Sequence, residues 1–210
     1  MNDKSNKKDE RFFRLDSEED EYLKGNPRNA AQMAEVCKPV FEDQSEEPFF
    51  LYFATSDPHR GGGQDKTFPG KHKPDRFGNL PKKKAYPGVE EVFYDPKKVI
   101  VPGFLPDTPE ARAEIANYYQ SCSRIDQGLG RLVELLKKNG KWKNTVIIYT
   151  ADHGMAFPGA KTTVYEAGLR VPFVVRHPRA AKKGRTNEAM LSHSDLTPTI
   201  LDLAGALNKK

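Results

Sequence analysis

Asp152, His153 and Lys161 fall within ten positions of one another in TVIIYTADHGMAFPGAK, and Asp57 and His59 stand together in PFFLYFATSDPHR. A carboxylate beside an imidazole can hold a divalent cation, and a lysine nearby can hold an anionic group against that cation. Two such sets on one edge of a sheet suggest hydrolysis of a charged ester. The metal neutralises developing charge, the lysine orients the transferred group, and a histidine protonates the departing oxygen or nitrogen. Asp-His-Gly by itself is also an ordinary turn, and Asp57 ahead of Pro58 reads as a turn former.

Both sets follow an apolar run that would deliver them. Residues 48–54 form a continuous aromatic and aliphatic run that predicts a strand buried on both faces, and residues 146–149 predict a second strand. In a parallel sheet the carboxyl ends of strands share one edge, which is where ligands bind. Between the two strands, Thr108-Pro109-Glu110 predicts a capped helix start. The helix runs to Asn139, with Ile115, Tyr118, Cys122, Ile125, Leu129, Leu132 and Leu136 as its apolar stripe and Gly140 as its stop. Gly128 and Gly130 inside it predict close approach to the sheet.

Elsewhere, residues 29–46 predict a short helix that Pro39 ends or kinks near Cys37, and residues 169–175 predict a strand made irregular by Pro172. Asp195 is expected to cap a final helix from Leu196 to Leu203. Arg170, Arg176, His72 and His177 are expected to face solvent, while His193, which could approach the active edge, is explained by the capping of the last helix by Ser192 to Asp195. The fold class is α/β, a predominantly parallel sheet flanked by helices, over residues 29–207. Residues 1–28, dense in charge of both signs, read as a disordered lead-in, and residues 61–108 as a long loop.

The 210 residues carry a net charge of +5, which suits anionic ligands without choosing among them. Lys82-Lys83-Lys84 lacks the interleaved aromatics of a nucleic-acid surface, so no nucleic-acid partner is expected. No apolar run approaches the roughly 20 residues of a membrane span. Two cysteines, Cys37 and Cys122, are too few for a disulfide framework, and Cys122 reads as a small core hydrophobe. The sequence sets no oligomeric state.

In order and spacing, PFFLYFATSDPHR, the segment from VIVPGFLPDTP through the long helix, NTVIIYTADHG, KTTVYEAGLRVPFVV and SHSDLTPTILDLAGA resemble the sulfatases, within the alkaline-phosphatase-like superfamily. The resemblance covers residues 48–206, and DPHR with VPGFLPDTP is most similar to the heparan N-sulfatase (sulfamidase) branch. It implies a sulfuric-ester or sulfamate hydrolase acting on sulfated carbohydrate such as glycosaminoglycan, and a periplasmic, secreted or lysosomal location. Asp152 and His153 would be metal ligands, to calcium as is usual in the family. Asparagine is frequent at the second of these positions, so the softer imidazole leaves manganese or zinc open. His59 would lie on the leaving-group side of the sulfate, and Lys161 would contact a sulfate oxygen. The sulfamidase branch tends to place arginine at that last position, and lysine keeps the charge but loses the bidentate fork.

The family's nucleophile is a cysteine or serine in C/S-x-P/A-x-R, oxidised to formylglycine, and two further aspartates complete its metal site. Cys37-Lys38-Pro39 begins like that signature but continues without arginine, 22 residues before His59. No nucleophile is therefore assigned to this chain. It reads as the later part of a sulfatase domain, inactive by itself. The alternatives are a phosphate- or phosphonate-ester hydrolase of the same superfamily and a non-catalytic α/β module that binds anions or a partner.

Overall fold

The computed structural model describes residues 12–16, 28–45, 47–61 and 75–207. It forms two compact units, one ending at Pro178 and the other beginning at Arg179. The second unit holds a 3-10 turn, His193–Asp195, leading into α4, Leu196–Leu203. Ser192 and Asp195 form a capping box there, the Ser192 N–H donating to Asp195 Oδ2 at 2.7 Å.

The first unit is organised along α3, Pro109–Lys138. Its start is fixed by the Thr108 hydroxyl, which accepts from the Ala111 N–H at 3.2 Å, and by proline in the first turn. Gly140, at φ +72°, ends it in a conformation that suits glycine. Two shorter helices, α1 (Ala30–Val36) and α2 (Lys38–Glu42), meet at Cys37, where Pro39 divides what periodicity reads as one helix. They pack on the C-terminal half of α3. Met33, Ala34, Cys37, Phe41, Leu132, Leu135 and Leu136 form that core, with Leu51, Phe53, Trp142 and Ile147 against it.

Strand pairing among the described residues gives two two-stranded sheets and does not show the expected predominantly parallel one. β1 (Phe12–Asp16) pairs parallel with β2 (Phe50–Ala54), whereas β3 (Ile147–Thr150) pairs antiparallel with β4 (Phe173–Arg176). No ladder joins β2 to β3 among the described residues. β1 also lies inside the stretch read as a lead-in, where FFRLD is too short a run among charges to give a period; the rest of residues 1–27 lies outside the described residues. β2 is partly buried on one face and largely exposed on the other. Leu51 and Phe53 meet the core while Tyr52 is half exposed on the other side. β4 starts after Pro172, which has no N–H to give a ladder.

The buried face of α3 is rotated from the expected stripe. In its middle the buried residues are Gln120, Ser121, Arg124 and Gly128, while Tyr118, Cys122, Ile125 and Leu129 are half-buried. Gly128 admits close approach, though by α1 rather than by a sheet: a Cβ there would lie 2.5 Å from that of Ala30. Gly130 has nothing within 4 Å of where a Cβ would be.

Residues 75–108 contain no helix or strand, yet they are tied along α3. Asn79 Nδ2 donates to the Asn117 carbonyl at 2.9 Å, the Glu90 N–H to Gln127 Oε1 at 2.8 Å, and Tyr94 pairs with Ser123 at 2.7 Å. Lys82, Lys83 and Lys84 are exposed as expected, His177 is half-buried rather than exposed, and His72 lies outside the described residues. Arg176 does not face solvent as expected. It donates to the Trp142 and Thr145 carbonyls at 2.7 and 2.6 Å and stacks 3.6 Å from the Trp142 ring. Among the described residues no helix is long and apolar enough to cross a membrane.

Candidate active site

Two loops carry the residues singled out from the sequence. The first follows β2. Within it the Thr55 hydroxyl donates to the Asp57 carbonyl at 2.8 Å and the His59 N–H to the Ser56 carbonyl at 2.9 Å, closing a tight turn around a cis Asp57–Pro58 bond. His59 is exposed at the end of that turn. Asp57 is more than a turn former. Its fully buried carboxylate accepts from Arg124 Nε at 2.7 Å and Nη2 at 3.0 Å, and from Arg28 Nη1 at 2.9 Å. Burial pushes the Asp57 carboxyl up, and the Arg124 and Arg28 guanidiniums oppose it, with three charge-assisted hydrogen bonds favouring the carboxylate.

Arg124 is bonded through all three of its guanidinium nitrogens. Besides Asp57 it donates to Asn79 Oδ1 at 2.6 Å and to the Phe77 carbonyl at 2.7 Å, and it lies over the Tyr86 ring. Gln120 Nε2 donates to Glu91 at 2.6 Å beside it. A buried cation on a helix face must be paired in this way, since an unpaired one would not stay buried.

The second loop follows β3. The His153 N–H donates to Asp152 Oδ1 at 3.0 Å, and His153 Nε2 lies 3.3 Å from Asp152 Oδ2. The opposite ring nitrogen, Nδ1, lies 2.8 Å from the Gly154 carbonyl. A carbonyl only accepts, so Nδ1 carries the hydrogen, and in the neutral ring Nε2 presents a lone pair. Nε2 and a carboxylate oxygen thus lie 3.3 Å apart, two ligand atoms close enough to share one metal ion. The Asp152 side chain is 84% exposed, so a cation could reach it.

Backbone contacts fix the rest of this loop. The Gly154 N–H donates to the Gly168 carbonyl at 2.9 Å, and the Lys161 N–H to the Met155 carbonyl at 3.1 Å. A Cβ on Gly154 would fall 1.8 Å from the Ala167 carbonyl oxygen, and one on Gly168 would fall 2.4 Å from that of Thr163. Only glycine fits where the chain doubles back on itself this closely. Lys161 emerges partly exposed beside the buried Ala160.

The structure thus brings Asp152 and His153 into contact and holds Lys161 on the same loop, while His59 comes from the other. Phe77 joins the two loops. Its carbonyl accepts from Arg124 and, at 3.2 Å, from Arg28, and its ring stacks on Phe157 of the second loop, centroids 5.9 Å apart. Tyr118 meets both rings edge-on.

Sequence reasoning missed Arg28, Phe77 and Arg124. The signal available for Arg124 was the helical spacing Ser121, Arg124, Gly128, small residues flanking an arginine on one face. It also passed over Ser56-Asp57-Pro58-His59-Arg60, which fits the serine form of the nucleophile signature letter for letter. In the structure Asp57 is buried beneath the guanidiniums, and Arg60 Nε donates to Glu114 Oε2 of α3 at 3.1 Å. These residues hold a loop in place, and no nucleophile is assigned to Ser56.

The sulfatase family profile matches residues 4–206. Human N-sulphoglucosamine sulphohydrolase is 38% identical over 177 residues, 83% of this chain and 35% of that protein. Among solved structures, the yidJ protein of Bacteroides fragilis superposes with a TM-score of 0.57 at 23% identity over 86% of this chain and 37% of that one. The phosphonate monoester hydrolase of Silicibacter pomeroyi superposes with a TM-score of 0.53 at 25% identity over 84% and 38%. The chain spans about a third of the length of these relatives.

Proposed function

This chain belongs to the sulfatase family, and on that premise we propose that it supplies part of the active site of a sulfuric-ester or sulfamate hydrolase acting on sulfated carbohydrate, glycosaminoglycan included. The reading is carried by the Asp152–His153 pair, an imidazole nitrogen 3.3 Å from a carboxylate oxygen, at the head of a glycine-locked loop that ends at Lys161. The resemblance to the human N-sulphoglucosamine sulphohydrolase supports the amino-sugar sulfate class.

In this reading the Lys161 ammonium holds one sulfate oxygen and His59 gives a proton to the departing oxygen or nitrogen. Asp152 and His153 donate to a divalent cation, calcium first, with manganese or zinc as alternatives because one donor is imidazole. Calcium takes about six to eight oxygen ligands. Among the described residues no third His, Cys, Asp or Glu joins the pair, so the two residues are proposed as part of a metal site and no step is assigned to the ion. Bound, the cation would supply Lewis acidity toward the sulfate. The family's formylglycine is not assigned to a residue here, and this chain alone is expected to turn nothing over.

The structural likeness to a phosphonate monoester hydrolase favours one rival, hydrolysis of a phosphate or phosphonate ester on the same scaffold. Joined to the nucleophile-bearing region of its family, the chain should hydrolyse 4-nitrophenyl sulfate or N-sulfoglucosamine in preference to 4-nitrophenyl phosphate. Exclusive release of nitrophenol from the phosphate would overturn the sulfatase reading.

A further inference from the structure

Arg28 lies in the charged stretch from which no chemistry was expected, yet its donors converge on the His59 loop. Nη1 donates to Asp57 Oδ1 at 2.9 Å, to the His59 carbonyl at 3.1 Å and to the Phe77 carbonyl at 3.2 Å; Nη2 donates to the Gly61 carbonyl at 3.2 Å. The side chain is 14% exposed. Gly78 makes room for it: at φ +73° it presents no Cβ, and one placed there would fall 2.0 Å from Arg28 Cδ. A planar fork can reach a carboxylate and three carbonyls at once, whereas an ammonium offers its donors from a single point.

From this we infer that Arg28 is a positioning residue for His59. It touches no reacting atom. It fixes the backbone on both sides of residue 60, and so the direction in which the imidazole leaves the loop. Arg124 performs a separate task, securing Asp57 from the α3 side without reaching the backbone of His59 or Gly61. The inference rests on the proposed reading that His59 meets the leaving group of a sulfate ester.

The test uses the whole chain with its histidines labelled for NMR, the His59 Cε1–H signal being identified by its loss in His59→Gln. Inorganic sulfate is the probe. In wild type, sulfate should shift the His59 signal. Arg28→Ala should move or broaden that signal, raise amide exchange at His59 and Gly61 about tenfold or more while the amides of Leu132 to Leu136 keep their protection, and weaken the sulfate response about tenfold. A low, non-denaturing concentration of guanidinium chloride should restore the wild-type signal, and Arg28→Lys should restore it only in part. An unchanged His59 signal, unchanged loop exchange, or an equal sulfate response in wild type and folded Arg28→Ala would overturn the inference. If Arg28→Ala loses protection throughout, Arg28→Lys decides: a shifted His59 signal in a folded chain supports the inference, and an unshifted one overturns it. If sulfate fails to move His59 in wild type, the assignment of His59 to the substrate falls while any effect of Arg28 on loop exchange is still read, so the two failures are distinguishable.

Discussion

Arg124 and Asp57, 67 residues apart in sequence, are joined by two parallel hydrogen bonds of 2.7 and 3.0 Å inside the protein. The pair ties the middle of the long helix to the turn that carries His59. Removing Arg124 takes two of the three charge-assisted hydrogen bonds from the buried Asp57 carboxylate and leaves it to Arg28 alone. Arg124→Ala should therefore destabilise the chain by about 3–5 kcal/mol in urea unfolding. The double substitution Asp57→Asn with Arg124→Met should cost clearly less than the two single costs added together. Strict additivity would mean that the two side chains are not coupled.

Two glycines should respond oppositely to alanine. At Gly154 a Cβ would fall 1.8 Å from a carbonyl oxygen, and the Gly154–Gly168 hydrogen bond cannot survive the displacement. Gly154→Ala should lower the melting temperature and abolish any response of His153 to metal. At Gly130 there is open space within the helix, so Gly130→Ala should stabilise by about 0.5–1 kcal/mol. A destabilised Gly130→Ala would show that the helix is not as regular as described.

Metal binding should depend on the Asp152–His153 pair. Calcium titrated into the whole chain and followed by calorimetry should bind weakly, with a Kd no tighter than about 10⁻⁴ M, and Asp152→Asn should abolish the heat. His153→Asn should favour calcium over manganese, since an amide oxygen replaces the softer imidazole. Undiminished binding in Asp152→Asn would move the metal elsewhere.

Cys122 offers a pH-dependent test. Burial pushes its thiol up to about 11. At pH 8 the native thiol should then react with iodoacetamide roughly two hundred-fold more slowly than a free cysteine, and the rate should climb about tenfold per pH unit until the thiol ionises. The linkage has a definite sign. The folded state holds this proton more tightly, so its contribution to stability is full below the unfolded thiol's pKa and is lost as pH rises toward 11. Alkylation at pH 8 as fast as in the unfolded chain would show Cys122 to be open.

Ser56 should remain serine. Its neighbours in the signature-like SDPHR are committed to the arginine cluster and to Glu114. Mass spectrometry of the tryptic peptide ending at Arg60, from chain produced with the formylglycine-generating machinery, should give the unmodified mass. A loss of two hydrogens at Ser56 would make it a candidate nucleophile.

The parts of this fold written in local chemistry were legible. Thr108-Pro109 and Gly140 marked both ends of α3 because caps act within a few residues, and Asp-His-Gly marked the end of β3 because an apolar run stops there. Pairing was not legible. Whether β3 lies beside β2 or β4 is decided by contacts between distant segments, and nothing in IIYT states its partner. Arg124 was hidden for a related reason. A charged residue in a helix reads as solvent-facing unless its counterion is known, and that counterion, Asp57, is 67 positions earlier. Phe77 and Arg28 sit in stretches without a period, so the residues that link the two loops gave no sign of it.

That sequence separation also sets an order on biosynthesis. The turn bearing His59 leaves the ribosome before the guanidinium that completes its burial has been made. At about 5–20 residues per second, the 67 residues between Asp57 and Arg124 take roughly 3 to 13 seconds to synthesise. Through that interval the Asp57 carboxylate stays hydrated and the turn remains unsecured from the helix side. Nascent chains stalled before Arg124 has emerged should be cut readily near Arg60 by trypsin, and chains stalled beyond the end of α3 should resist.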